Sequence, residues 1–173
     1  MASTSAISRS LAPRRWRAEP SLAASITRAA SIQTYSTVQL FVDRGLVQDA
    51  FRAYAYFRWV DDQLDQSDLP PAARLAFAQR QAELIDRCYR GDVPARLSAE
   101  ERLLADLVRS NPTPNSGLEA YIRNMMAVMA FDAGRRGRWI TRAELEQYTR
   151  WLAVGVTEAL HYFIGSNSYS PQG

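Results

Sequence analysis

Hydrophobic residues recur along this chain at three- and four-residue spacing, and no stretch alternates in twos for long enough to make a strand. The pattern predicts an all-α protein of about six helices in a bundle. Residues 21–44 read as helix with a break near Ser31, and Arg44-Gly45 closes a turn. Leu46, Ala50, Ala53, Phe57, Val60 and Leu64 then form an apolar stripe on a helix from about Leu46 to Gln66. Ser67-Asp68-Leu69-Pro70-Pro71 ends it, and Pro71 suits the first turn of a further helix running to about Arg90. Ser98 with Glu101 makes a capping-box pattern ahead of Leu103, Leu104, Leu107 and Val108. After Asn111-Pro112-Thr113-Pro114, a Met-rich helix runs from Leu118 to about Ala133, closed by the loop Gly134–Arg138. Thr141 with Glu144 repeats the capping-box pattern and opens a last helix to about Ile164.

The Leu46–Gln66 helix carries a second stripe. Tyr54, Arg58, Asp61 and Asp65 are spaced by four, three and four residues, which stacks their side chains on one face. Asp62 adds a third carboxylate in the same short run. Asp is a mediocre helix former, like charges repel, and carboxylates near a helix C-terminus oppose its dipole. Two readings follow: a solvated acidic face, or a hard-cation site. Mg²⁺ takes oxygen ligands at about 2.1 Å and keeps waters and phosphates in its shell, so carboxylates on consecutive turns suit it. Arg58 fits both readings, as an ion pair to Asp61 or Asp62 or as a planar fork for a phosphate.

The string AYAYFRWVDDQLD resembles the first aspartate-rich motif of the squalene/phytoene synthase family, with Tyr54, Arg58, Asp61, Asp62 and Asp65 at its fixed positions. SIQTYS resembles that family's serine-rich entry segment, with Thr34 and Tyr35 where Ser and Phe are usual. ELEQYTRWLAVGVTEALHYFIG resembles its helix of a tyrosine followed by a Val-Ala-Gly-like run, Tyr148 matching the tyrosine. The resemblance covers roughly Thr27 to Gly165 and implies a helical bundle of the isoprenoid-synthase type. It implies Mg²⁺ held by Asp61, Asp62 and Asp65, and two prenyl diphosphates (farnesyl or geranylgeranyl) joined head to head with loss of diphosphate. Tyr54, Arg58 and Tyr148 would be catalytic, and Thr34, Tyr35 and Arg58 would bind substrate. From the residues alone, Tyr54 and Tyr148 could equally be ordinary half-buried tyrosines. A chain-elongating prenyltransferase or terpene cyclase would share the acidic cluster, but not the upstream Tyr and Arg or the helix around Tyr148.

The family also carries a second aspartate-rich motif on a later helix, whereas no aspartate follows Asp132 here. The expectation is therefore an incomplete bundle, spanning residues 21–165 as the N-terminal portion of a synthase domain, with residues 166–173 as a loop or truncated end. Such a bundle would expose apolar faces. The alternative function is a non-catalytic helical module that pairs with another chain across such a face.

Charge narrows the partners. All 21 basic residues are Arg, which reads as a coding bias, and the net +3 resides in residues 1–20, where Arg9, Arg14, Arg15 and Arg17 face Glu19 alone. The balanced remainder excludes general nucleic-acid binding. The segment 1–20 is expected to be a disordered basic leader. Cys88 is the lone cysteine and cannot form an intrachain disulfide, in keeping with a reducing compartment. A cytoplasmic location is expected, with peripheral membrane contact left open. Arg135, Arg136 and Arg138 read as a solvated loop or as phosphate contacts, and the Met stripe as core packing or cavity lining. Glu158 and His161 make a Glu-x-x-His pair. With one His in the chain it reads as a buried Glu158 bonded to His161 or a neighbour rather than as half of a di-iron site.

Overall fold

The computed structural model describes residues 21–66 and 69–164. They form seven helices: α1 (Leu22–Ala30), α2 (Ile32–Phe41), α3 (Val47–Leu64), α4 (Pro71–Tyr89), α5 (Ala99–Ser110), α6 (Gly117–Arg135) and α7 (Arg142–Ile164). There is no strand among the described residues. Residues 1–20, 67–68 and 165–173 lie outside them, and with them the expected basic leader and the expected loop at 166–173.

Each boundary has a local cause. Ser31 ends α1 and starts α2 in one residue. Its backbone is extended and its N–H donates to the Thr27 carbonyl, while its Oγ accepts from Thr34 N at 3.1 Å. Pro71 opens α4, where its missing N–H costs nothing. Both capping boxes close reciprocally. Glu101 N donates to Ser98 Oγ at 3.1 Å and Ser98 N to Glu101 Oε2 at 2.9 Å. In the second box, Glu144 N donates to Thr141 Oγ1 at 3.2 Å and Thr141 N to Glu144 Oε2 at 2.8 Å.

The core forms around α3, which packs against α1, α2, α4, α5 and α6. Its stripe of Ala50, Ala53, Phe57, Val60 and Leu64 is buried. So are Phe51 and Tyr56, because α3 meets neighbours on more than one side. Leu104, Leu107 and Val108 of α5 and Leu118 and Ile122 of α6 complete this core. Each fully buried Leu or Ile contributes about 1.5–3 kcal/mol.

A polar chain is buried with them. Tyr56 Oη donates to Gln81 Oε1 at 3.1 Å, and Gln81 Nε2 donates to Glu101 Oε1 at 3.0 Å. Arg80 pairs with the same carboxylate at 3.0 Å. Burial, then the Glu101 charge, push the Tyr56 hydroxyl well above the usual phenol range, so it stays a donor.

α6 and α7 run antiparallel. Met125 of α6 meets Gly155 of α7, where an added Cβ would lie 3.2 Å from the Met125 sulfur. At the other end, Tyr148 lies by Phe131, their ring centroids 5.5 Å apart. α7 buries only Gly155 and Phe163, and Leu145, Leu152, Val156 and Leu160 are exposed. Among the described residues no helix is long and apolar enough to cross a membrane. The Glu158–His161 expectation needs correction. Glu158 is half-buried beside Gly117, His161 is exposed, and no hydrogen bond joins them. Three residues separate the pair on α7, but with nothing packed over His161 the imidazole is solvated instead.

Candidate active site

α3 and α6 finish at the same end of the bundle, and each finishes with acid. Asp61 and Asp65, one turn apart on α3, line a cleft of about 650 Å³ together with Asp132 from the last turns of α6. Arg135 at the end of α6, and Arg136 and Arg138 in the chain that leaves it, line the same cleft. Gly137 turns that chain at φ 79°, a backbone region costly for any residue with a Cβ. Trp139 sits on the rim, 98% exposed.

These acids and guanidiniums are tied together. Arg136 Nη2 lies 3.6 Å from Asp65 Oδ1, and its Nη1 donates to the Leu64 carbonyl at 3.3 Å, capping the last turn of α3. Arg135 pairs with Asp132 and lies over the Tyr148 ring, 5.8 Å from its centroid. Tyr148 Oη donates to Asp132 Oδ2 at 3.4 Å, and burial followed by the Asp132 charge raises its phenol above the usual range. Arg138 reaches Glu144 at 2.7 Å, which ties the loop to the start of α7. That bond, with the Thr141 backbone, pulls the Glu144 carboxyl down to about 2.

Charge is unevenly compensated here. Burial pushes the Asp61 carboxyl above the ordinary carboxylate range, and Asp65, Asp62 and Asp132 push it further. Arg58 opposes this only in part. An acid held among other acids is a place where a cation is favourable.

The candidate residues from the sequence are divided by this geometry. Asp61 and Asp65 come together at the cleft, and Tyr148 lies outside its lining, joined to it through Asp132. Asp62 does not line it: one residue on from Asp61 is a rotation of about 100° on a helix. Its carboxylate is held instead by Arg58, which also lies 3.4 Å from Asp61. Tyr54 sits one turn before Arg58, half-buried and outside the cleft lining. Thr34 donates to Ser31 Oγ at 2.9 Å. Tyr35 stacks on Phe51, centroids 5.2 Å apart, and its hydroxyl accepts from Gln39. Both belong to the α2–α3 region rather than to the cleft lining.

Asp132, which the sequence reading placed only at the end of the Met-rich helix, lines the cleft beside Asp61 and Asp65. The signal for it was present: an acid in the last turn of a helix, against the dipole, with Ala133 alone between it and Gly-Arg-Arg-Gly-Arg. Met129 lines a smaller cavity of about 70 Å³ that shares Asp61, Asp65 and Asp132 with the cleft, so one member of the Met stripe is cavity lining while Met126 is core. Among the described residues, no three His, Cys, Asp or Glu side chains are gathered closely enough to hold a metal ion by themselves.

The squalene/phytoene synthase family model matches residues 27–168 of the chain. This chain belongs to the squalene/phytoene synthase family. Its members are prenyltransferase-type enzymes with an all-α isoprenoid-synthase fold, and the matched span holds every element that builds the cleft. No curated protein and no solved structure matches the chain.

Proposed function

We propose that this protein is a Mg²⁺-dependent prenyltransferase of the squalene/phytoene type, acting on farnesyl or geranylgeranyl diphosphate. The observation that supports this is the cleft itself, lined by Asp61, Asp65 and Asp132 and by Arg135, Arg136 and Arg138. The donor set fits the metal. Carboxylate oxygens are hard ligands, and Mg²⁺ needs only one or two of them beside its waters and substrate phosphates. Asp61 and Asp65, one turn apart, would hold it beside waters and the substrate's phosphates. When bound, the metal supplies Lewis acidity to a leaving diphosphate.

The chain's own groups then have defined tasks. As the allylic C–O bond breaks, its electron pair goes to the diphosphate, and the guanidinium wall stabilises that charge through forked hydrogen bonds. Asp132 and Arg135 hold the Tyr148 hydroxyl and ring at the cleft edge, where the raised phenol remains a donor. Arg58 holds Asp62 aside and leans on Asp61, fixing the acidic face of α3.

A second reading is a helical module that acts by pairing with another chain, and the exposed apolar residues of α7 favour it. One experiment separates the two. Pyrophosphate release from farnesyl or geranylgeranyl diphosphate is measured with and without Mg²⁺, beside Asp61→Asn and Asp65→Asn. The enzyme reading expects Mg²⁺-dependent release that falls by about 100-fold in either variant. Release that ignores both substitutions would overturn it. A single monomeric species in sedimentation would count against the module.

A further inference from the structure

The loop between α6 and α7 carries the most exposed large apolar side chain among the described residues. Trp139 is 98% exposed, and its indole joins no ring pair and no hydrogen bond there. Tryptophan is highly buried on average, and its indole offers a large apolar area that water solvates poorly. The loop displays it on a firm base. Gly137 turns the chain at φ 79°, Arg138 reaches Glu144 at 2.7 Å, and Thr141 with Glu144 closes the capping box just beyond. Exposed apolar side chains stand at both ends of this loop. Leu75 of α4 lies against Gly134 where it begins, and Leu145 is in the first turn of α7 where it ends.

The charge of the loop is one-sided in sequence. From Gly134 to Arg142 there are four Arg, at 135, 136, 138 and 142, and no acid. Asp132, Asp65, Glu144 and Glu146 each reach one of them from outside that stretch. A guanidinium carries more N–H donors than one carboxylate engages, so each keeps donors to spare. Arg142 is the most open, its side chain 92% exposed.

We propose that the loop Gly134–Arg142 docks this protein on an anionic phospholipid bilayer, with Trp139 inserted among the head groups and the arginines on lipid phosphates. An indole has an apolar body and one N–H donor, which suits the boundary between head groups and acyl chains. Arginine lays its apolar stem along that boundary while its planar fork takes a phosphate. A stretch of four guanidiniums without an acid complements the negative surface of such a bilayer. The contact is peripheral, since no helix among the described residues is long and apolar enough to cross a membrane. A nucleic acid would use the same guanidiniums, but the balanced charge of residues 21–173 leaves no broad basic track for its backbone. The docking surface is the rim outside the carboxylates, so it stands whatever the cleft binds.

The test is co-sedimentation of the full chain with vesicles of phosphatidylcholine alone, or with about a third phosphatidylglycerol. Wild type should bind the anionic vesicles about tenfold more tightly than the neutral ones. Trp139→Ala should weaken that binding about tenfold and Trp139→Phe only about twofold, because Phe restores most of the inserted area. Arg142→Gln should weaken binding about fivefold on the anionic vesicles alone. Leu40→Ala removes another exposed apolar residue, on α2, and should change nothing. Trp139 makes no side-chain contact that folding could need, and circular dichroism checks each variant. Tryptophan emission should shift to the blue on anionic vesicles in wild type and stay in place in Trp139→Phe. Binding unchanged in Trp139→Ala would overturn the proposal, whichever other part of the chain then carries it, and so would a blue shift that persists in Trp139→Phe. Equal weakening by Leu40→Ala, or retention of single-stranded RNA in place of vesicles, would overturn it too. Pyrophosphate release is measured without vesicles, so the docking surface and the enzyme reading can fail separately.

Discussion

Two acidic sites in this bundle are built in opposite ways. Glu101 is 5% exposed and fully engaged, accepting from Gln81, from Ser98 N and from Arg80. Asp61, Asp65 and Asp132 are more open, and the electrostatics of Asp61 are dominated by burial and by other acids. Glu101 is a closed circuit that joins α3, α4 and α5. The aspartates at the junction of α3 and α6 form an open one. A closed polar network stabilises a core and fixes its register, whereas an unfinished one is a standing cost tolerated where something binds. The same helix, α3, serves both, with Tyr56 toward the closed site and Asp61 and Asp65 toward the open one.

The contrast can be broken most forcefully at its closed end. Glu101→Ala removes a capping-box partner and strands Gln81, and should cost about 3 kcal/mol in chemical denaturation. Tyr56→Phe, which leaves Gln81 Oε1 without its donor, should cost about 1–2 kcal/mol by the same measurement. The open site should respond with the opposite sign. In the fold, Asp61 has its carboxyl raised, so at neutral pH its ionised form is less favourable there than in the unfolded chain. Asp61→Asn should therefore raise the melting temperature, by about 1–2 °C after allowance for solvent screening. A drop would mean that Asp61 is structural. The smallest effect belongs to Glu144, whose carboxyl is pulled from 4.5 to about 2. Its contribution is present above 4.5 and is lost as pH falls through about 2, so α7 should begin to fray in acid. In Glu144→Gln that acid step in circular dichroism should be absent.

The helices were legible because their signals are local. Ser31, Pro71, the Ser98–Glu101 box and the Thr141–Glu144 box each act within one turn, and each boundary falls within two residues or so of its signal. The apolar stripe of α3 was legible for the same reason. Tyr56 and Phe51 were not, since burial on a second side depends on which helices arrive there. The acidic face of α3 could be read from spacing, but its partner could not. Asp132 is some seventy residues from Asp61. Asp62 stood beside Asp61 in sequence, and helical rotation carried it to Arg58 instead.

The claim on which the account rests is that Asp61 and Asp65 offer a divalent cation two carboxylates and that a diphosphate completes its shell. Titration of Mn²⁺ by electron paramagnetic resonance, with and without pyrophosphate, tests it most directly. Wild type should bind Mn²⁺ weakly alone and about tenfold more tightly with pyrophosphate, and Asp61→Asn or Asp65→Asn should abolish the gain while Glu101→Gln leaves it intact. Pyrophosphate that adds nothing to Mn²⁺ binding, or a gain that survives both aspartate substitutions, would contradict the account.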